Sequence, residues 1–169
     1  MKALLGAAIF FLAGIGTIVP QARSQSKSVS VDIKNAEGRS VGTATLSPAP
    51  QGVKIKLDIK DLPPGQHSIH IHETAKCEAP DFKSAGAHFG AGHADHEHMP
   101  AGDIPNFSLI VTADGTAHAT VVAPNVSLGS GENSVFSNGG TALVIHAVAD
   151  ASATGAPARI ACGVITKPE

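Results

Sequence analysis

Histidine carries the most readable chemistry in this sequence. In Gly65-Gln66-His67-Ser68-Ile69-His70-Ile71-His72-Glu73, isoleucines alternate with imidazoles. On a β-strand, residues i and i+2 project to the same side, so His70 and His72 stand together. Two adjacent imidazoles make half of a copper or zinc site. His67 has the opposite parity, faces away from that pair and reads as structural. His88 lies in Ser84-Ala85-Gly86-Ala87-His88-Phe89, and His146 in the apolar run Leu143-Val144-Ile145-His146-Ala147. A lone histidine on so apolar a strand is ordinarily a hydrogen-bonded core residue. With His70, His72 and His88 as companions, His146 reads as a ligand.

The elements that must position these side chains are strands. Val29, Val31 and Ile33 alternate with Ser30, Asp32 and Lys34, and Val53, Ile55, Leu57 and Ile59 with Lys54, Lys56, Asp58 and Lys60. Period-two patterns of this kind belong to an antiparallel sheet with one dry and one wet face. Further β-rich stretches are 39–46, 66–72, 107–112, 116–122, 142–149 and 159–166. Glu37-Gly38 and Asp114-Gly115 sit between such runs and read as hairpin turns. No amphipathic helix and no internal repeat is evident. Eight short strands predict an all-β sandwich or flattened barrel. Two segments fall outside this pattern, a long one from about Glu73 to Pro105 and a short one at 150–158. The long one contains Cys77 and four of the 9 histidines. Loops of this length in compact domains are usually functional or disordered, and a disulfide plus a metal would order this one.

With 169 residues, the chain has room for one domain with a real core. Trp and Tyr are absent and Phe numbers 6, so that core must be aliphatic, while 18 Gly and 11 Pro favour turns. Lys2 followed by the apolar run Ala3 to Val19, with Ala22 and Ser24 beyond it, reads as a signal peptide over 1–24. The run is short for a spanning anchor. A domain over 25–169 would then be secreted or periplasmic, with no stable membrane association. Removal of Lys2 and Arg23 takes the net charge from −2 to −4. The remaining lysines are spread among acids with no basic stripe, which excludes nucleic acid as a partner. Two cysteines in an exported chain suggest one disulfide; two buried thiols are the alternative.

Taken together, HIHE at 70–73, Cys77, SAGAHF at 84–89, GDIPN at 102–106, LVIHA at 143–147 and RIACGVI at 159–165 resemble the copper/zinc superoxide dismutase family. The order and rough separation of these pieces match across nearly the whole mature chain. The resemblance implies a Greek-key antiparallel sandwich or flattened eight-stranded barrel with long metal-binding loops. It implies four copper ligands at His70, His72, His88 and His146, with His88 bridging copper to zinc. It pairs Cys77 with Cys162 and places Arg159 beside the copper as the residue that attracts superoxide. Asp150 matches a carboxylate that links a copper ligand to a zinc ligand, the usual task of such outer partners. Dimer surfaces vary within the family, so a homodimer is compatible with it.

The zinc site departs from the family pattern. That pattern runs His, seven residues, His, eight residues, His, two residues, Asp. Here His88 precedes Asp103 by 15 positions instead of 20. His96 fits the second place by spacing, but Pro100 occupies the third. His98 could substitute, His93 and His98 could be the pair, or zinc binding could be lost. The segment between His146 and Arg159 is also short, and 151–158 holds no charge. Steering of the anion then rests on Arg159 and copper, without the wider field that charged loops focus.

The implied reaction needs a centre that cycles by one electron, which copper does and zinc does not. Arg159 and His88 would be the catalytic residues, Arg159 by holding the anion and His88 by delivering a proton. The rival is a non-catalytic copper-binding or copper-storage protein on the same fold. Such members lose a copper ligand or the arginine, and this chain keeps all five.

Overall fold

Alternation in the sequence becomes alternation in burial. In the computed structural model, which describes residues 28–93, 99–148 and 157–168, β1 (Val29–Asn35) and β3 (Gly52–Ile59) bury every second residue. Val31, Ile33, Val53, Ile55, Leu57 and Ile59 are at most 1% exposed, while Lys54, Lys56 and Asp58 face water. Burying a side chain of this size stabilises by about 1.5–3 kcal/mol, which fixes the register, because a slip of one residue would turn the whole set outward. The proposed signal segment 1–24, His96, His98 and Asp150 lie outside the described residues, as does the side chain of His93.

The remaining strands are β2 (Ser40–Ala49), β4 (Gly65–His67), β5 (Ile69–His72), β6 (Leu109–Val111), β7 (Ala117–Ala123), β8 (Thr141–His146) and β9 (Arg159–Ile165). Seven form one antiparallel sheet in the order β5-β8-β9-β1-β2-β3-β7, and β4 pairs with β6. The strand expected over 66–72 is split at Ser68. There the chain leaves β6 and takes up new partners. Ser68 N donates to Val148 O and His146 N donates to Ser68 O, both at 2.9 Å. Since β4 and β5 are consecutive and β6 lies beside β7, the two sheets curl into a flattened barrel. Greek-key connections appear where β3 pairs with β7 and β5 with β8.

Both expected turns are present, with Gly38 at φ 75° and Gly115 at φ 82°. Helical structure among the described residues is limited to three single 3₁₀ turns, at Lys83–Ala85, Ala91–His93 and Ser137–Gly139. None of these residues forms a helix long and apolar enough to cross a membrane. The segment between β7 and β8 is a further long loop that alternation did not single out. Its Val126, Leu128 and Val135 reach back into the main core, and local bonds such as Val135 N to Ser127 O hold it.

One strand is buried on both faces. Every residue of β8 is buried. Leu143 and Ile145 face the main core. Ala142 and Val144 face the other way and are covered by Phe82, Ala85 and Cys162. The long loop therefore lies over the outer face of the sheet, with its own small core beneath it. A disulfide joins Cys77 to Cys162 and ties that loop to β9.

Candidate metal centre

The loop that covers β8 also completes the site. His70, His72 and His146 share the outer face of β5 and β8, because β5 pairs with β8 in the register His70 to Val144 and His72 to Ala142. His88 arrives from the loop. Residues 87–89 run antiparallel to the free edge of β5, with Glu73 N donating to Ala87 O at 3.0 Å and Phe89 N to Ile71 O at 2.8 Å. Gly102 fills the next place, with its N–H on Phe89 O and its carbonyl accepting from Ile71 N. A Cβ at Gly102 would run into the Ile71 carbonyl, so only glycine allows this approach. The result is four histidines whose ligand atoms lie within 4.8 Å of one another.

Outer hydrogen bonds decide which ring nitrogens face inward. His72 Nδ1–H donates to Gly86 O at 3.0 Å, and His146 Nδ1–H donates to Pro157 O at 3.3 Å. Both Nε2 atoms are then lone-pair acceptors, yet they lie 3.3 Å apart. Two lone pairs at that distance repel unless a cation lies between them. His70 Nδ1 is buried with no hydrogen-bond partner. His88 turns its Nδ1 to Asp103 Oδ1 at 2.6 Å, which leaves its Nε2 for the cluster. A soft or borderline cation with four imidazole ligands satisfies all of these atoms, and copper and zinc are the metals that fit such a set.

The electrostatics agree. Burial, followed by the neighbouring His88 and His146, lowers the His70 pKa from 6.5 to about 3. Burial also lowers His72 to about 3, against the opposing bond to Gly86 O. His146 falls to about 4, again chiefly by burial. All three rings are neutral at pH 7, as metal ligands must be. A lowered histidine pKa means the unfolded chain takes up protons first as pH drops. Stability from these groups is complete above pH 6.5 and is lost progressively as pH falls to about 4 for His146 and about 3 for His70 and His72. The metal-free protein is expected to melt at progressively lower temperature between pH 6.5 and 4.5, before ordinary carboxylates titrate. A melting temperature flat across that window would show that the rings are not buried in neutral form.

Arg159 stands beside the cluster, cross-strand from His146. Its Nη1 donates to Phe82 O and its Nη2 to Gly86 O, both at 2.7 Å. The Gly86 carbonyl thus accepts from both Arg159 and His72, and joins the guanidinium to one histidine of the cluster through one atom. Gly86 sits at φ 78°, a conformation natural to glycine. Burial lowers the Arg159 pKa from its ordinary value, and Asp81 opposes that effect. The carbonyl anchors at Phe82, Gly86 and Pro157 carry no signal in the sequence, apart from the glycine of SAGAHF. His67 is 2% exposed, with its two ring nitrogens 2.8 Å from the carbonyls of His146 and Pro63. Its expected structural role is therefore to brace the backbone of His146.

Comparison with known proteins bears on the same residues. A family model described as copper/zinc superoxide dismutase (SODC) matches residues 40–165. A copper–zinc superoxide dismutase of Caulobacter vibrioides is 39% identical, over 82% of this chain and 85% of its own. One from Aquifex aeolicus is 42% identical, over 98% of this chain and 99% of its own. Among solved structures, a double mutant of a SOD-like protein from Bacillus subtilis matches with a TM-score of 0.73 and 34% identity, covering 81% of this chain and 96% of that one. The Cu/Zn superoxide dismutase from Brucella abortus matches at 0.64 and 32%, covering 82% and 99%. From the motifs, the barrel, the four-histidine cluster and these matches, the chain belongs to the copper/zinc superoxide dismutase family.

Proposed function

We propose that this protein is a superoxide dismutase, converting two superoxide anions and two protons into dioxygen and hydrogen peroxide. The observation that carries this reading is the joint presence of four converging imidazoles and an arginine hydrogen-bonded to the carbonyl that orients one of them. Copper held by His70, His72, His88 and His146 supplies one-electron redox chemistry, which zinc lacks. Arg159 draws in the superoxide anion and holds it as a preorganised positive charge. His88, whose Nδ1 faces Asp103, takes and delivers the proton that the peroxide product needs at Nε2 when that atom is not ligating. Asp150, by its match to the family motif, takes the place of the carboxylate that links a copper ligand to a zinc ligand. A non-catalytic copper store on this fold would have no use for Arg159, whose presence favours the enzyme.

Asp103 also marks the zinc site. Its carboxylate meets His88 Nδ1, the nitrogen left over by a copper ligand. Zinc would be held by His88 and Asp103, with His96 and His98, or His93 and His98, completing a tetrahedral set. Metal analysis by mass spectrometry, paired with a dismutase assay, tests both metals. The parent should carry copper and dismutate superoxide; a copper-loaded parent without activity would identify a copper store. Asp103→Ala should carry less zinc and keep its copper. Unchanged zinc would move that site elsewhere, and loss of copper alone would give Asp103 a structural role.

The protein is exported to an oxidising compartment and acts there without membrane attachment. The signal-like segment and the single disulfide support this. N-terminal sequencing from the native source is expected to begin near Gln25. Recovery of Lys2 would overturn the export reading.

A further inference from the structure

Arg159 is gripped from two sides by residues of different character. Gly86, at φ 78° and ψ −154°, takes a positive-φ conformation open to glycine without cost, whereas Phe82 sits in the left-handed region at φ 52°, ψ 23°. A bulky side chain is found there only when its surroundings impose it. The surroundings here are plain. The Phe82 ring is 1% exposed and is the largest side chain in the small core under the loop, with Ala85, Ala142, Val144 and Cys162. Val144 lies two residues before His146 on the same strand, and Cys162 carries the disulfide. On its backbone side, the Phe82 carbonyl accepts from Ala85 N at 3.1 Å and from Arg159 Nη1 at 2.7 Å. One residue therefore has its ring pinned to the strand of a metal ligand and its carbonyl pinned to the cation.

We propose that Phe82 is a positioning residue for substrate: its buried ring locks a left-handed backbone whose carbonyl fixes the Arg159 guanidinium in place for the incoming anion. The inference rests on the anion-attracting role given to Arg159. Both holders, at Phe82 and Gly86, are neutral carbonyl oxygens. They fix two prongs of the guanidinium fork without neutralising its charge, which stays available to an anion. Without the ring, the loop backbone relaxes toward ordinary φ values. The carbonyl then swings away, and the arginine samples orientations that do not meet the substrate.

The experiment measures azide binding to the copper-loaded protein, as an anion probe followed by visible absorption, in a double-mutant cycle of Phe82→Ala with Arg159→Ala. Phe82→Ala is expected to bind azide on the order of fivefold to tenfold more weakly, the size usual for neighbours acting through one contact. Its copper content and its absorption without azide should match the parent. In the Arg159→Ala background, the same change should cost nothing further. If Phe82→Ala fails to fold, Phe82→Leu keeps most of the apolar plug and should lose roughly threefold, with the same dependence on Arg159. Equal azide affinity in parent and Phe82 variants, or an equal loss in both backgrounds, overturns the role of Phe82 and leaves that of Arg159 standing. Unchanged affinity in Arg159→Ala alone overturns both.

Discussion

Arg159→Ala is expected to keep its copper and lose about tenfold or more in dismutation rate. Arg159 ligates nothing in the four-histidine cluster, so occupancy does not depend on it directly. Its contribution is charge at a fixed place. An anion about 4 Å from it gains on the order of 1 to 4 kcal/mol, depending on local screening. Each 1.4 kcal/mol is about a factor of ten in rate. The dependence on ionic strength should weaken as well, because much of the long-range attraction is gone. His146→Ala provides the contrast, since it removes a ligand and should lower copper and activity together. An Arg159→Ala protein as fast as the parent would sink the proposed mechanism. Arg159→Lys sharpens the reading: it keeps the charge but cannot fork across the Phe82 and Gly86 carbonyls, so it should fall between the two.

Loss of the disulfide should have the largest effect on stability. Cys77 and Cys162 are 85 positions apart. In the chain-entropy model, closing a loop of that length stabilises the fold by about 4 kcal/mol. For a domain of this size each kcal/mol moves the midpoint by roughly 2–4 °C, so Cys77→Ser should melt on the order of ten degrees lower. Activity should fall too, because the tethered loop brings His88 and the carbonyls of Phe82 and Gly86 to the site. Thiol labelling of the unreduced, unfolded parent should find no free cysteine. Two labelled thiols per chain would refute the bond, and an unchanged melting temperature in Cys77→Ser would remove its structural weight.

Much of the site was legible because strand parity is a local property. His70 and His72 had to share a face once 66–72 was read as β, and His67 had to face away from them. The burial alternation of β1 and β3 follows residue for residue from their sequences. Other features depended on partners far along the chain. The break at Ser68 exists because His146 and Val148 pair with it, and nothing within 65–72 announces that. Phe82 reads as an ordinary loop aromatic until Val144 and Cys162 are placed beneath it. The carbonyls that hold Arg159, His72 and His146 are backbone atoms, whose positions no residue type encodes. Zinc spacing was the one irregular motif. The structure brings His88 and Asp103 together, while His96 and His98 fall outside the described residues.

The Greek-key pairing of β5 with β8 also bears on when the protein can acquire its metal. His72 and His146 meet across 74 positions of chain, and β1 meets β9 over a longer span still. Contacts of such high sequence separation form late, since the loop-closure entropy must be met before they give anything back. An unfolded chain has its four histidines scattered along a coil, and the tetrad does not yet exist as a chelator. Capture of copper by all four histidines together is therefore expected to follow folding in time.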